Sequence, residues 1–289
     1  MKTIQHSNIV KLLLSVSVVG LLAGLITTAR DIYLARSFGA TEQMDTFFIL
    51  LVIPMFLISI TNSTLNSTLV PLLSKETLNR ISIKVSRLSS LLALIALIFM
   101  ATLVYASIPI GHFFNFWLPH LDEFDLSFAC FTLMVPLAVY STVLRSALNA
   151  KQEVFKPALS QIIIAFSSIA SLIGLHQFYG IEALSIGLFL GYTLELVYIQ
   201  KLYFNEGLKI HLSAIMFNKE DIRFYKNSFF LLLAAVLMYM TLVVDQFMAT
   251  SLENGDVSNL VYAGKPINFI LLILAGGISQ VFLPEFTIS

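Results

Sequence analysis

Apolar residues in this chain come in long runs broken by short polar and charged stretches. The runs predict spans of membrane length at 9–29, 44–73, 88–110, 126–148, 157–175, 182–204, 228–250 and 258–284, each long enough as a helix to cross a hydrocarbon core of about 30 Å. The second run changes character halfway. Ser59, Asn62, Ser63 and Asn66 fall at i, i+3, i+4 and i+7, which puts them on one face of a helix. Polar groups facing lipid tails would be unpaired, so that stripe is expected to face protein or a hydrated cavity. Pro54 and Pro136 fall inside spans and Pro71 near a span end; each is a weak sign of a kink, because proline is more frequent in membrane helices in general.

The loops orient the spans. With the N-terminus in the cytoplasm, Lys2, Lys11, Lys75, Arg80, Lys84, Arg87, Arg145, Lys151, Lys156, Lys201, Lys209, Lys219, Arg223 and Lys226 all fall on the inner side. Only Arg30 and Arg36 fall outside and Lys265 lies within the last span, which accounts for all 17 basic residues. The opposite orientation would invert the positive-inside bias. The N-terminal run is longer than a signal-peptide core and leads straight into Arg30 and Asp31, so it reads as a retained first helix.

Composition agrees. Hydrophobic residues make up 57% and charged residues 12% of the 289, against about 25% charged in a soluble domain, and the mean hydropathy is +0.87. The expected class is an all-α polytopic membrane protein. The single cysteine, Cys130, rules out an internal disulfide and reads as a small apolar residue in a helix. The five histidines show no ligand spacing, and the chain has no Gly-rich phosphate loop, H-E-x-x-H or nucleophile elbow. No enzyme, metal, cofactor or nucleic-acid partner is expected. The glycosylation triplets at Asn62 and Asn66 lie inside a span.

Charges that topology does not explain are the candidates for function. A basic residue near the bilayer centre costs roughly 2.5–3.5 kcal/mol on insertion scales. Arg30, Arg36 and Lys265 therefore call for a partner carboxylate, water or an anionic ligand. Lys265 precedes Pro266, which removes a backbone donor and breaks or kinks a helix, and broken helices at membrane depth commonly line a substrate cavity. Among the acids, Asp45 and Asp245 lie near outer helix ends, where solvation suffices. Glu195 is deeper, and reads either as a site for a coupling cation or proton or as the partner of a neighbouring helix.

The chain also repeats itself. Asp31-x-x-x-Ala35-x-Ser37-Phe38 aligns with Asp245-x-x-x-Ala249-x-Ser251-Leu252, and both copies run through a short loop into an apolar span ending Leu69-Val70-Pro71 or Phe282-Leu283-Pro284. A parallel repeat of this kind predicts two lobes flanking a central site. On this reading residues 1–204 form a six-helix lobe, 205–227 a cytoplasmic linker, and 228–289 the first two helices of an incomplete second lobe.

These residues carry a resemblance. Ala29-Arg30-Asp31, Leu34-Ala35-Arg36-x-Phe38-Gly39-Ala40, Asp45-x-Phe47-Phe48 and the Leu-Val-Pro ending, with Val244-Asp245-Gln246 and Gly255-x-Val257-Ser258-x-Leu260-x-Tyr262-Ala263, resemble the MurJ/MviN lipid II flippase family of the multidrug/oligosaccharidyl-lipid/polysaccharide exporter superfamily. The resemblance implies a helical bundle around a cationic cavity in the bacterial inner membrane. It also implies movement of polyprenyl-diphosphate-linked sugars by alternating access. Arg30 then matches a cavity arginine of the first helix, Lys265 stands where the eighth helix usually has arginine, and Asp45 matches an acid at the start of the second. Two departures stand out: Gly24 and Leu57-Ile58 occupy positions where the family has arginines. Thr61 to Ser67 also replaces an Ala-Glu-Gly-Ala-Phe-Ser-Gln run with amides and hydroxyls.

The leading expectation is a flippase for a lipid-linked saccharide, lipid II or a capsule, exopolysaccharide or O-antigen precursor. Arg30, Lys265, Arg36 and Asp45 would lie at its headgroup site, and Ser59, Asn62, Ser63 and Asn66 along the sugar path. The alternatives are a cation-coupled small-molecule exporter using Glu195, and a non-transporting lobe that partners a second subunit or a missing C-terminal half.

Overall fold

The computed structural model describes residues 6–89, 91–92, 125–210 and 219–267, and these are almost entirely helical. In chain order the helices are α1 (His6–Phe38), α2 (Glu42–Leu73), α3 (78–89), α4 (Asp125–Ala150), α5 (Phe155–Ala158), α6 (Ser160–Tyr179), α7 (Glu182–Asn205), α8 (Lys219–Ala249) and α9 (from 256). Six described segments are long and apolar enough to cross a membrane: Leu14–Phe38, Glu42–Leu73, Asp125–Ala150, Phe155–Tyr179, Glu182–Asn205 and Ser228–Ala249. They coincide with six of the expected spans. The span expected at 88–110 lies almost wholly outside the described residues, and the last is described only as far as 267, where it is helical.

The sequence pattern placed a charged loop from Arg30 to Asp45, and the structure differs. α1 continues as helix to Phe38, and only residues 39–41 form the turn. Neighbouring Arg30 and Asp31 pair with each other on the helix, so their charge does not end it. Gly39 ends it: its φ of +65° is a left-handed conformation suited to glycine, and its N–H closes the last turn on the Ala35 carbonyl at 3.0 Å. Thr41, extended at φ −120° and ψ 160°, then caps α2, its hydroxyl accepting from the Met44 N–H at 3.3 Å. At the other end, helix also starts earlier than expected, at Lys219 inside the stretch read as a linker.

Neighbouring helices pack in the order α1–α6–α7–α4–α2–α8, while α1 and α2 hardly touch along their lengths. The α6 and α7 backbones approach closely. A Cβ built on Gly187 would lie 2.8 Å from the Ser171 Cβ and 2.9 Å from the Ser168 Cα, and one on Gly191 3.0 Å from the Ile164 Cα. Glycine lets the two backbones approach, the usual route to tight helix pairing in a membrane, where apolar burial gives little drive.

Two apolar clusters fill the ends of the bundle. Leu34, Met44, Phe47, Phe131, Met134, Leu172 and Leu184 pack near the 39–41 turn. Leu65, Leu69, Leu73, Val85, Leu144, Leu148 and Tyr203 pack at the opposite end. On α2 the break between them covers residues 59–64, on α4 139–142 and on α7 189–198. Polar side chains occupy that break, among them Ser59, Asn62 and Ser63 of α2, Ser141 and Thr142 of α4 and Glu195 of α7.

Candidate functional site

Arg30 and Lys265 turn inward and meet at one carboxylate. Arg30 donates to Asp31 Oδ1 from Nη2 at 2.7 Å and from Nε at 3.0 Å, and Lys265 Nζ lies 3.3 Å from Asp31 Oδ2. A further Arg30 donor, Nη1, reaches Ser168 Oγ on α6 at 3.3 Å. Two cations thus share one anion across α1 and α9, leaving one positive charge in excess. The side chains of Arg30 and Asp31 are 12% and 8% exposed, whereas Lys265 is 33% exposed, so the open side of the cluster is cationic. Asp31 is the partner carboxylate that the sequence could only call for in general terms. Its adjacency to Arg30 was visible, but its link to Lys265 requires the fold.

Asp45 does something different from binding a ligand in this arrangement. It is buried, and its Oδ2 accepts from the Gly255 N–H at 2.6 Å and its Oδ1 from the Ser258 N–H at 2.8 Å. The Ser258 hydroxyl donates to it as well. The first-turn carboxylate of α2 therefore caps the N-terminus of α9, where unpaired N–H groups and the helix dipole favour an anion. Around it, the Asn254 amide donates to Glu42 at 3.2 Å, Tyr262 donates to the Gly39 carbonyl at 3.3 Å, and the Tyr262 ring meets Phe48 edge-on. Gly255, at φ +97°, brings its backbone so close that a Cβ would lie 2.7 Å from the Ala40 carbonyl oxygen. The start of α9 is thus clamped onto the 39–45 corner. Arg36 is exposed near the end of α1, away from the Asp31 cluster.

The polar stripe of α2 divides. Asn62 and Asn66 lean on α4: Asn62 Oδ1 accepts from Thr142 Oγ1, and Asn66 Oδ1 from Ser146 Oγ at 3.1 Å. Asn66 Nδ2 also donates to the Asn62 carbonyl at 3.0 Å. These amides knit two helices, a use of buried polar groups common in membrane bundles. Ser59 and Ser63 are half-buried, with no side-chain partner among the described residues.

Glu195 is buried to 1% exposure and pairs with Arg145 of α4. Its Oε1 also accepts from Ser160 Oγ at 3.0 Å and its Oε2 from Ser141 Oγ at 3.4 Å. Counting Arg145 with the inner-side loops missed this, because it lies five residues before the end of α4. The available signal was its position within helical reach of the Ser141–Thr142 pair, opposite the one acid deep in a span. At the same end of the bundle, Lys151 bonds Glu206 at 3.1 Å and Lys84 bonds Glu76 at 2.6 Å. The Lys151 hydrogen bond holds the Glu206 carboxyl below its ordinary range, and the Lys84 hydrogen bond does the same for Glu76.

Apolar spans around a buried, unevenly charged cluster define a multi-pass helical membrane protein with charged side chains inside its bundle. A family model described as "Lipid II flippase MurJ" matches residues 34–289. The chain belongs to the MurJ lipid II flippase family. Two curated relatives, each described as a probable lipid II flippase MurJ, come from Buchnera aphidicola. The one from subsp. Acyrthosiphon pisum (strain APS) is 26% identical over 95% of this chain and 56% of its own length. The one from subsp. Baizongia pistaciae (strain Bp) is 22% identical over 96% of this chain and 56% of its length. The chain thus spans about half the length of the curated relatives it matches. A solved structure titled "Lipid II flippase MurJ, inward closed conformation" superposes with a TM-score of 0.69 over 87% of this chain and 54% of that one, at 22% identity. It shows the same fold.

Proposed function

We propose that this chain works in moving a polyprenyl-diphosphate-linked saccharide across the bacterial inner membrane, its N-terminus in the cytoplasm, with Arg30 and Lys265 holding the diphosphate. The observation that carries this reading is the charge surplus at Asp31. One carboxylate cannot neutralise two cations in a low-dielectric interior, and the partly open Lys265 gives an anion a way to the cluster. Arginine offers a planar fork to phosphate oxygens and lysine a point charge, so Arg30 fixes orientation while Lys265 supplies attraction. Ser59 and Ser63 on the α2 wall offer hydroxyls to a sugar. Asn62 and Asn66 contribute by holding α2 to α4, and Asp45 by holding α9.

The lobe arrangement read from the repeat, with 1–204 as one lobe and α8 and α9 opening the next, is part of this proposal. It gains support from the α9 clamp. Asp45 and Ser258 are 213 residues apart, against a repeat offset of 214 at Asp31 and Asp245 and 213 at Pro71 and Pro284, so nearly equivalent positions of the two copies meet, as they do at a two-fold axis relating two lobes. α8 fits the same picture, since only 6% of its apolar window is buried, leaving most of its surface to lipid or to further helices. The substrate moves without a chemical step, so no catalytic residue is assigned.

The test is growth rescue by the full-length protein in a bacterium depleted of its own flippase. Arg30→Ala is expected to abolish rescue while the protein remains in the membrane. Undiminished rescue would reject the headgroup role.

A further inference from the structure

The Arg145–Glu195 pair has features that a purely structural ion pair does not need. Glu195 keeps hydroxyl donors that are independent of Arg145: Ser160 at 3.0 Å and, shared with the Ala138 carbonyl at 2.9 Å, Ser141 at 3.4 Å. If Arg145 moved to another anion, the hydroxyls would still bond the carboxylate, which lowers the cost of releasing its partner without removing it. Arg145 in turn has unspent donor capacity, because its Nε is buried without a partner. Ser160, which bonds Glu195, and Ser168, which bonds Arg30, lie about two turns apart on α6. The Arg145 pair and the Asp31 cluster therefore follow one another in a row along that helix.

We propose that Arg145 is a second anion-binding station of the same pathway, which takes a phosphate of the headgroup in exchange for Glu195 before the headgroup reaches Arg30 and Lys265. This rests on the flippase reading above. Before the anion arrives, Glu195 neutralises Arg145 and makes its burial tolerable. When a phosphate enters, the guanidinium fork moves to it, and Glu195 stays on Ser141 and Ser160. Taken together the two stations hold Arg30, Arg145 and Lys265 against Asp31 and Glu195, one positive charge in excess, so a headgroup bearing two negative charges is attracted along the whole row.

The test measures binding of farnesyl diphosphate, with farnesol as the uncharged control, to the full-length protein in phosphatidylcholine nanodiscs. Glu195→Gln frees Arg145 from its competitor and is expected to tighten diphosphate binding severalfold. Arg145→Gln is expected to weaken it by about tenfold, the loss of a charge-assisted hydrogen bond, and Arg145→Lys by less. Arg145→Gln could fail to fold because it strands Glu195. The double change Arg145→Gln with Glu195→Gln avoids this, and is expected to bind as weakly as the single one. A structural pair predicts no such opposite signs: if both single variants fold, and both keep the wild-type affinity while Arg30→Gln loses it, Arg145 is not a station. If the wild-type protein prefers diphosphate to farnesol by nothing at all, the flippase reading fails first and this one with it.

Discussion

Arg30, Asp31 and Lys265 bring two cations to one carboxylate, whereas Arg145 and Glu195 are matched one to one. Arg30, Asp31, Arg145 and Glu195 sit inside helices apolar enough for a membrane, and both clusters would be costly if left alone. Their surroundings differ as much as their sums. The first joins two helices, α1 and α9, that the chain order keeps far apart, and its lysine is one-third open. The second lies among α4, α6 and α7, with its carboxylate closed off and two hydroxyls in attendance. The difference teaches that charge in a membrane bundle can be left short of a partner, which advertises a ligand at once, or matched, in which case it offers one only where its carboxylate has other donors to fall back on.

Removing charge from each cluster should break the comparison most sharply. Arg145→Leu strands Glu195 in the interior and is expected to lower stability by about 3–5 kcal/mol, measured by thermal unfolding in detergent. Lys265→Gln leaves the Arg30–Asp31 pair intact, so stability should stay within about 1 kcal/mol of wild type while growth rescue fails. If Lys265→Gln unfolded the protein and Arg145→Leu did not, the assignment of the two clusters would be reversed.

Changes to the supports should be smaller. Gly187→Val drives a branched side chain into Ser168 and Ser171, and is expected to cost about 1–3 kcal/mol by overpacking. Because Ser168 also holds Arg30, the same variant should weaken headgroup binding. Asp45→Ala removes the cap on α9 and is expected to cost about 1–2 kcal/mol. It should also loosen the 39–45 corner, read as faster amide exchange at Gly255 and Ser258. Smallest of all is the pH effect. Folding depresses the carboxyls of Glu76 and Glu206 below 4.5, each through a lysine hydrogen bond foremost. Their contribution is therefore complete above that value and is lost as pH falls through the depressed one, a shift of about 0.2–1 kcal/mol per pair. Unfolding midpoints at pH 6 and pH 3.5 would show it, and Lys84→Met with Lys151→Met should flatten it.

Much of the architecture was legible because membrane spans are a matter of length and apolarity, which a sequence displays directly. Six spans fell where the runs placed them, and Arg30 and Lys265 stood out because topology could not explain them. What failed was local or long-range. The loop at Arg30 was misplaced because an Arg-Asp neighbour pair looks like a polar break, although on a helix the two side chains satisfy each other. The Ser/Asn stripe was expected to face protein or a hydrated cavity, and a helix face does not reveal which neighbour each residue takes. Thr142 and Ser146 of α4 lie 80 residues further on, and Asn62 and Asn66 turn to them. Asp45 kept its place yet changed its task, because the N–H groups it answers belong to a helix more than 200 residues away. Arg145 was hidden by a counting rule that treats every basic residue near a helix end as a marker of sidedness.

The most direct test of the surplus charge is a comparison of affinities in nanodiscs for farnesyl diphosphate, farnesyl monophosphate and farnesol. The wild-type protein is expected to rank them in that order, and Arg30→Gln with Lys265→Gln to bind all three alike. Equal affinity for the three ligands in the wild-type protein, or a ranking that survives loss of both cations, would contradict the account.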